Sequence, residues 1–219
     1  MKKSFLWLFC LFASTWSHAE IDHDQISETM GYLLVRHLVQ PGFQCNLDRF
    51  IQGIQNARAG KEPPMSEEEY EQAISSIQET IFLQTAENNL AQADAFLKQN
   101  KMEKGVEEID PQLQFRIVKK GSGEEVSCDS TPLIHYQGSL IDGTIFAHSD
   151  NPTPLPIKQS IPGFTKGLVG MKEGEKRILY IHPELGYGIS GNLPPNSLLI
   201  FEFEVLKANA NACEEMIQK

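Results

Sequence analysis

The residues able to do chemistry in this chain are aromatic and hydroxylic rather than acidic or metal-binding. Tyr136, Phe146, Phe164, Tyr187 and Phe201 each stand in or beside a short apolar run that ends in a turn signal. Converging at one end of a sheet, they would form an apolar pocket carrying a few hydroxyls, a form suited to orienting an apolar ligand. Taken singly, each is more economically read as core; their shared placement beside turns is what raises the pocket. Tyr187 is set apart further by "LGYGISGNLPP", where glycine flanks it on both sides and two prolines follow before the chain reads as a strand again. Other chemistries lack their residues. The four cysteines include no C-x-x-C pair, and no histidine stands at metal-ligand spacing with another ligand.

The elements that must position these side chains are strands. From Leu113 onward the apolar period is two: Leu113, Phe115 and Ile117 share a face, as do Ile134 and Tyr136, Leu179 and Ile181, and Leu199, Phe201, Phe203 and Val205. Glu202 and Glu204 take the wet side of the last strand. Turn signals at Gly121-Ser122-Gly123, Asp142-Gly143, Glu173-Gly174 and Pro194-Pro195-Asn196 separate the runs. One short helical stretch, "PGFTKGLVGM", is long enough to cover one face. The class is α+β, an antiparallel sheet with one covered face and one helix on it.

The front half reads differently. Ile26, Met30, Leu33, Leu34 and Leu38, then Leu47, Phe50, Ile51 and Ile54, recur at helical spacing on either side of Pro41-Gly42. Asn46 is placed to cap the second helix and Gly60 to end it. Ser66 with Glu69 forms a capping box, and three glutamates lie at the positive end of the helix dipole. The stripe Tyr70, Ala73, Ile74, Ile77, Ile81 continues with one slip of phase through Ala86, Leu90, Ala93 and Leu97, uninterrupted by Gly or Pro before Gly105. Such a helix, about 50 Å long at roughly 1.5 Å per residue, reads as a stalk. Its stripe and those of the two short helices are expected to pair with a second copy; the alternative is a helical hairpin folded back on the rear half.

The first residues carry Lys2 and Lys3, the apolar run "FLWLFCLFA" and a polar stretch closing on Ser17-His18-Ala19. This reads as an export leader cleaved before Glu20, since the apolar run is about half of the roughly 20 residues that a spanning helix needs. Phe9 before Cys10 argues against lipidation. Removing the leader takes away two lysines and no acidic residue, so the formal charge of -10 becomes -12, which argues against a nucleic-acid partner. Cys45, Cys128 and Cys213 remain, an odd number that favours free or intermolecular thiols over a structural disulfide.

At "LIHYQGSLIDGTIF", "IPGFTKGLVGMKEGEKR" and "HPELGYGISGNLPPNSLLIFEFEVL" the sequence resembles the FKBP-type peptidyl-prolyl isomerases. The front half, with "MGYLLVRHL", "RFIQGIQNARAGK", "MSEEEY" and "FLKQNKMEKGV", resembles the dimerising region of the Mip and FkpA group. The resemblance implies a leader at 1–19, a helical dimerisation region at 20–64, a linker helix at 65–104, an FKBP-like domain at 105–208 and a tail at 209–219. It implies a proline pocket in which Tyr136, Phe146, Tyr187 and Phe201 act on the substrate. Ile157, Ser160, Ile161, Phe164 and Leu193 bind it, with Phe164 as the floor where many relatives carry tryptophan. It further implies action on unfolded or proline-containing polypeptides, a homodimer, binding of macrolides such as tacrolimus and rapamycin, and residence in the periplasm, outer membrane or cell surface of a bacterium. No cofactor or metal enters. Rotation about an Xaa–Pro bond is opposed by a barrier of about 20 kcal/mol, and the twisted amide is less charge-separated than the planar one, so an apolar cavity favours it.

One departure bears on activity. Family members usually follow the pocket phenylalanine with aspartate; here "IFAHSD" places Ala147 after Phe146. On a regular strand His148 points away from Ala147, and Asp150 lies outside the motif. Three readings follow: an isomerase of lowered turnover, a proline-binding chaperone that has lost most catalysis, and a surface protein that contacts host or matrix. Gly186, where alanine is common, is expected to loosen the turn.

Overall fold

The computed structural model describes residues 22–38 and 45–210 and divides the chain between Ser66 and Glu67 into two compact units. The leader read at residues 1–19, Cys213 and most of the tail lie outside the described residues. Among the described residues no helix is long and apolar enough to cross a membrane.

In the first unit, α1 spans His23–Leu38 and α2 spans Leu47–Arg58. Asn46 caps α2, its side-chain oxygen accepting from the Arg49 backbone N–H at 3.0 Å. Gly60 follows the last turn at φ +71°, a left-handed geometry that costs glycine no steric clash. The apolar stripe is present and uncovered: Ile26, Met30, Leu33 and Leu34 on α1 and Leu47, Ile51 and Ile54 on α2 are exposed.

The second unit opens with α3, Glu67–Asn100, 34 residues starting directly after Ser66. Seven strands follow: β1 Val106–Asp110, β2 Leu113–Lys119, β3 Leu133–Ser139, β4 Ile145–His148, β5 Thr153–Pro154, β6 Lys176–Ile181 and β7 Leu199–Lys207. Helix α4, Pro162–Leu168, lies between β5 and β6. The sheet is antiparallel in the order β1-β2-β6-β7-β3-β4, with β5 on β3. The long expected strands are all present. The short β1, "VEEID", was not anticipated because three of its five residues are acidic.

Alternation puts Leu113, Ile134, Leu179, Ile181, Leu199, Phe201, Phe203 and Val205 on one face, where they form the main core with Phe164 and Leu168 of α4. Two glycines set how closely α4 lies on that face. A Cβ at Gly163 would stand 2.5 Å from Ile181 Cγ2, and one at Gly167 2.5 Å from Leu179 Cδ1, so bulkier residues would lift the helix. Arg177, core-facing and nearly buried, places its guanidinium 4.4 Å from the Phe115 ring centroid, donates to the Gly167 carbonyl at 2.9 Å and pairs with Glu175 at 2.6 Å.

Part of the opposite face is also covered, which corrects the expectation of one covered face, while Glu202 and Glu204 on that face stay partly exposed as expected. Ala93 and Leu97 of α3, with Phe96 at the edge, pack on Tyr180, Ile178, Ile200 and Leu198. The Phe96 and Tyr180 rings stand 5.8 Å apart. Asn100 donates to Gln114 Oε1 at 3.0 Å, Gln114 donates to the Leu97 carbonyl at 2.8 Å, and His182 faces Asp94 at 3.3 Å. The second half of the α3 stripe is therefore satisfied by this chain's own sheet, where pairing with a second copy was expected. Tyr70 and Ile77, in the first half, stay exposed. Period shows which face of a helix is apolar and says nothing of what covers it.

Candidate active site

Phe201, the third residue of β7, is the hub of the aromatic cluster. Phe164 of α4 meets it edge-on at 4.7 Å and 86°, and Phe146 of β4 does so at 5.4 Å and 86°. Phe203 stacks beside it at 5.5 Å and 13°, and the Tyr136 ring of β3 lies 6.4 Å away. Edge-to-face pairs at these separations are favoured by the ring quadrupoles and hold one another in orientation. Phe164 and Phe201 are buried at the base, while Tyr136 and Phe146 are half-buried.

Gly138 makes this packing possible. A Cβ on it would stand 2.6 Å from Phe201 Cε1 and 2.9 Å from Phe146 Cζ, so the two rings cross the strand where any side chain would be. Neither Gly138 nor Phe203 was picked out as a site residue. The signal available for Gly138 was a glycine inside a strand, which often marks close approach of another group.

The β3–β4 register explains the rim. Ser139 pairs with Ile145 and Gly138 with Ala147, so Phe146 is the extra residue of a β-bulge. The bulge lets Phe146 and Ala147 share the pocket face. His148 opposes Gln137 on the other face and meets Asp150 at 3.2 Å, both well exposed. His148 and the Asp150 it pairs with are therefore engaged away from the aromatic cluster. Asp142 is engaged in its own turn, accepting from the Thr144 N–H at 2.9 Å.

Tyr187 follows a short 3-10 turn, Pro183–Leu185, and is 42% exposed. Partial burial pushes its phenol above the ordinary range and the neighbouring Tyr136 adds to this, so the ring keeps its O–H as a donor through neutral pH. The N–H groups of Gly186 and Gly188 both donate to the Pro183 carbonyl at 3.0 Å, and Gly188 sits at φ +56°. A methyl on Gly186 would meet Leu199 Cδ1 at 2.9 Å, so the leucine side chain occupies the space beside this glycine.

The remaining residues separate by burial. Ile161, the residue before α4, and Leu193 are half-buried against the core beside the rings. Ser160 donates its hydroxyl to the Pro156 carbonyl at 2.9 Å. Ile157 is fully buried in the core, so it shapes the site from behind without a surface to offer. Among the described residues Cys45 and Cys128 form no disulfide. Among the described residues no group of His, Cys, Asp and Glu could hold a metal.

Comparison with known proteins agrees with this geometry. Residues 123–206 match the family described as FKBP-type peptidyl-prolyl cis-trans isomerase, and residues 23–117 match the domain amino terminal to it. The peptidyl-prolyl cis-trans isomerase Mip of Chlamydia trachomatis is 46% identical over 193 residues, covering 86% of this chain and 79% of its own. The outer membrane protein MIP of Legionella longbeachae is 29% identical over 204 residues, covering 87% and 88%. The crystal structure of FkpA from Escherichia coli superposes with a TM-score of 0.71 at 31% identity, covering 86% of this chain and 98% of that one. An antiparallel sheet with an aromatic cluster over its short helix, preceded by a helical region matched over most of its length, establishes that the chain belongs to the FKBP-type peptidyl-prolyl cis-trans isomerases of the Mip and FkpA kind.

Proposed function

We propose that the protein works outside the cytoplasm, accelerating rotation about Xaa–Pro bonds in polypeptides that are folding. The observation that carries the site assignment is the aromatic cluster of Phe201, Phe164, Phe146 and Tyr136, placed next to a tyrosine whose hydroxyl stays protonated. The proline ring enters this apolar cavity, with Phe201 and Phe164 at its base. The flanking amide loses its water shell and, with it, part of the preference for the planar, charge-separated state. The Tyr187 hydroxyl donates to a carbonyl of the bound segment, and Ile161 and Leu193 lie against its sides. The reaction breaks no covalent bond and moves no proton, so orientation and an apolar surround are what the site must supply.

Two further parts of the reading rest on other observations. The exposed apolar residues of α1 and α2 form faces of the kind that a second copy covers, which supports a homodimer through the N-terminal helices. Export to the periplasm, outer membrane or cell surface is supported by the leader-like residues 1–19 and by the name of the Legionella relative. The same pocket is expected to take tacrolimus or rapamycin in competition with peptide.

Ala147 favours a second reading, a dimeric proline-binding chaperone of weak turnover, because no carboxylate stands at its position on the pocket face. The cis-to-trans rate of a Leu-Pro or Phe-Pro peptide, measured with the purified protein and with Ala147→Asp, separates the two. Clear acceleration by the native protein supports the isomerase. Acceleration by the variant alone supports the chaperone.

A further inference from the structure

The loop that carries Tyr187 is held from outside its own domain core. Between Gly188 and Leu198 the chain forms no strand or helix, and Ile189 at its tip is exposed. Its return turn carries Asn196 at φ +54°, and the Asn196 backbone N–H donates to the Gly188 carbonyl at 2.7 Å, one residue past Tyr187. The same residue reaches the opposite way with its side chain, donating from Nδ2 to the Ala86 carbonyl of α3 at 3.2 Å. One turn further along α3, Asn89 donates from Nδ2 to the Pro195 carbonyl at 2.8 Å. Residues three apart share a helix face, so helix and loop exchange bonds in both directions over two adjacent residues of the loop. Both bonds cannot survive a slip of one residue.

At its β7 end the loop packs Leu198 on α3 beside Ala93 and Leu97, and nearer Pro194 the seam is open. A cavity of about 150 Å³ lies between α3 and the loop, lined by Asn89, Gln92, Pro194 and Leu198 among others. Where a seam is not close-packed, directed hydrogen bonds set its geometry. Ala86, buried and small, lets the loop approach the helix backbone.

We infer that Asn89 and Asn196 form a clamp by which α3 positions the Tyr187 turn over the aromatic pocket, making both asparagines positioning residues for isomerisation. This rests on Tyr187 contacting the substrate. Neither asparagine touches the rings; they act through the chain Ala86–Asn196–Gly188, so any shift of α3 along the sheet moves the tyrosine.

The test uses the purified protein with Asn89→Leu and Asn196→Gly, singly and together; glycine keeps the left-handed backbone and removes only the side-chain bond. Two readouts are taken: kcat and KM on a Leu-Pro peptide, and amide hydrogen exchange at Gly188, Ser190 and Leu179. The clamp requires the double variant to lose about thirtyfold in kcat/KM, the scale of two neutral hydrogen bonds. Exchange at Gly188 and Ser190 must quicken while Leu179 of β6 is unchanged, and Asn89→Gln, which keeps the donor, must recover part of the rate. Unchanged exchange at Gly188 and Ser190 overturns the clamp at any level of activity. Faster exchange with unchanged kcat/KM overturns its role in catalysis. Should the native protein fail to accelerate the peptide, the isomerase reading falls, and exchange alone then decides whether the clamp holds the turn.

Discussion

Replacing Gly138 by alanine inserts one methyl group between β3 and the rings of Phe201 and Phe146. The added carbon would meet Phe201 Cε1 at 2.6 Å, Phe201 Cζ at 2.8 Å and Phe146 Cζ at 2.9 Å. Ordinary carbon contacts lie at about 3.5–4.0 Å, so one or both rings must retreat by roughly 1 Å. Phe201 has little room to do so, with Phe164 at 4.7 Å and Phe203 at 5.5 Å. Overpacking of this kind costs about 1–3 kcal/mol, and in a domain of this size each kcal/mol lowers the melting midpoint by roughly 2–4 °C. The effect on catalysis is larger, because the displaced rings are the walls of the proposed pocket: a shift of about 1 Å in a positioned group costs up to roughly 100-fold in rate. The expected outcome is a folded protein whose kcat/KM on a Leu-Pro peptide has fallen about 10- to 100-fold. Gly121→Ala is the control, since its methyl would stand 2.6 Å from the Glu173 carbonyl oxygen at a turn. It should lose stability and keep its kcat/KM per folded molecule. A Gly138→Ala protein with native kcat/KM would refute the placement of the site on these rings.

Tyr187→Phe should reduce kcat/KM about five- to tenfold, the worth of one neutral hydrogen bond. The native rate should be level from about pH 6 to pH 9 because burial raises the phenol's pKa; a decline centred below pH 9 would sink the donor role. Arg177→Leu leaves the Glu175 carboxylate nearly buried without its partner, for which a loss of about 3–5 kcal/mol is expected in urea unfolding. Arg177→Met with Glu175→Leu should recover most of it. Burial raises the pKa of Tyr180, with Glu103 adding and Arg116 opposing. The unfolded chain therefore loses this proton first: the contribution is complete below about pH 10, the ordinary tyrosine value, and is lost as pH rises past it. Tyr180→Phe should accordingly flatten the fall in thermal stability between pH 9 and pH 11.

Much of the molecule could be read from periodicity, since an apolar period of two or of 3.6 is a local property that the chain carries wherever it is placed. That is why β2, β3, β6, β7 and α3 stand where expected, and why Asn46 was recognisable as a cap. Helix α4 was legible too, although it stops at Leu168, short of the full apolar stretch. The strand β1 was missed because its acidic residues give no alternation.

The family motifs named Tyr136, Phe146, Phe164 and Phe201 for one pocket, and the structure brings these rings together; composition alone left each of them as plausible core. Three matters were settled only in three dimensions. The bulge at Phe146 put Ala147 on the pocket face and sent His148 and Asp150 to the other, and an extra residue in a strand has no signature until its partner strand is known. The second half of the α3 stripe found its cover on this chain's own sheet, because a stripe specifies an apolar face and leaves its occupant open. Asn89 and Asn196 look like ordinary surface asparagines in the sequence, being more than a hundred positions apart. Their bonds exist because the fold lays the loop after Tyr187 against one turn of the helix, a contact that depends on every element between them.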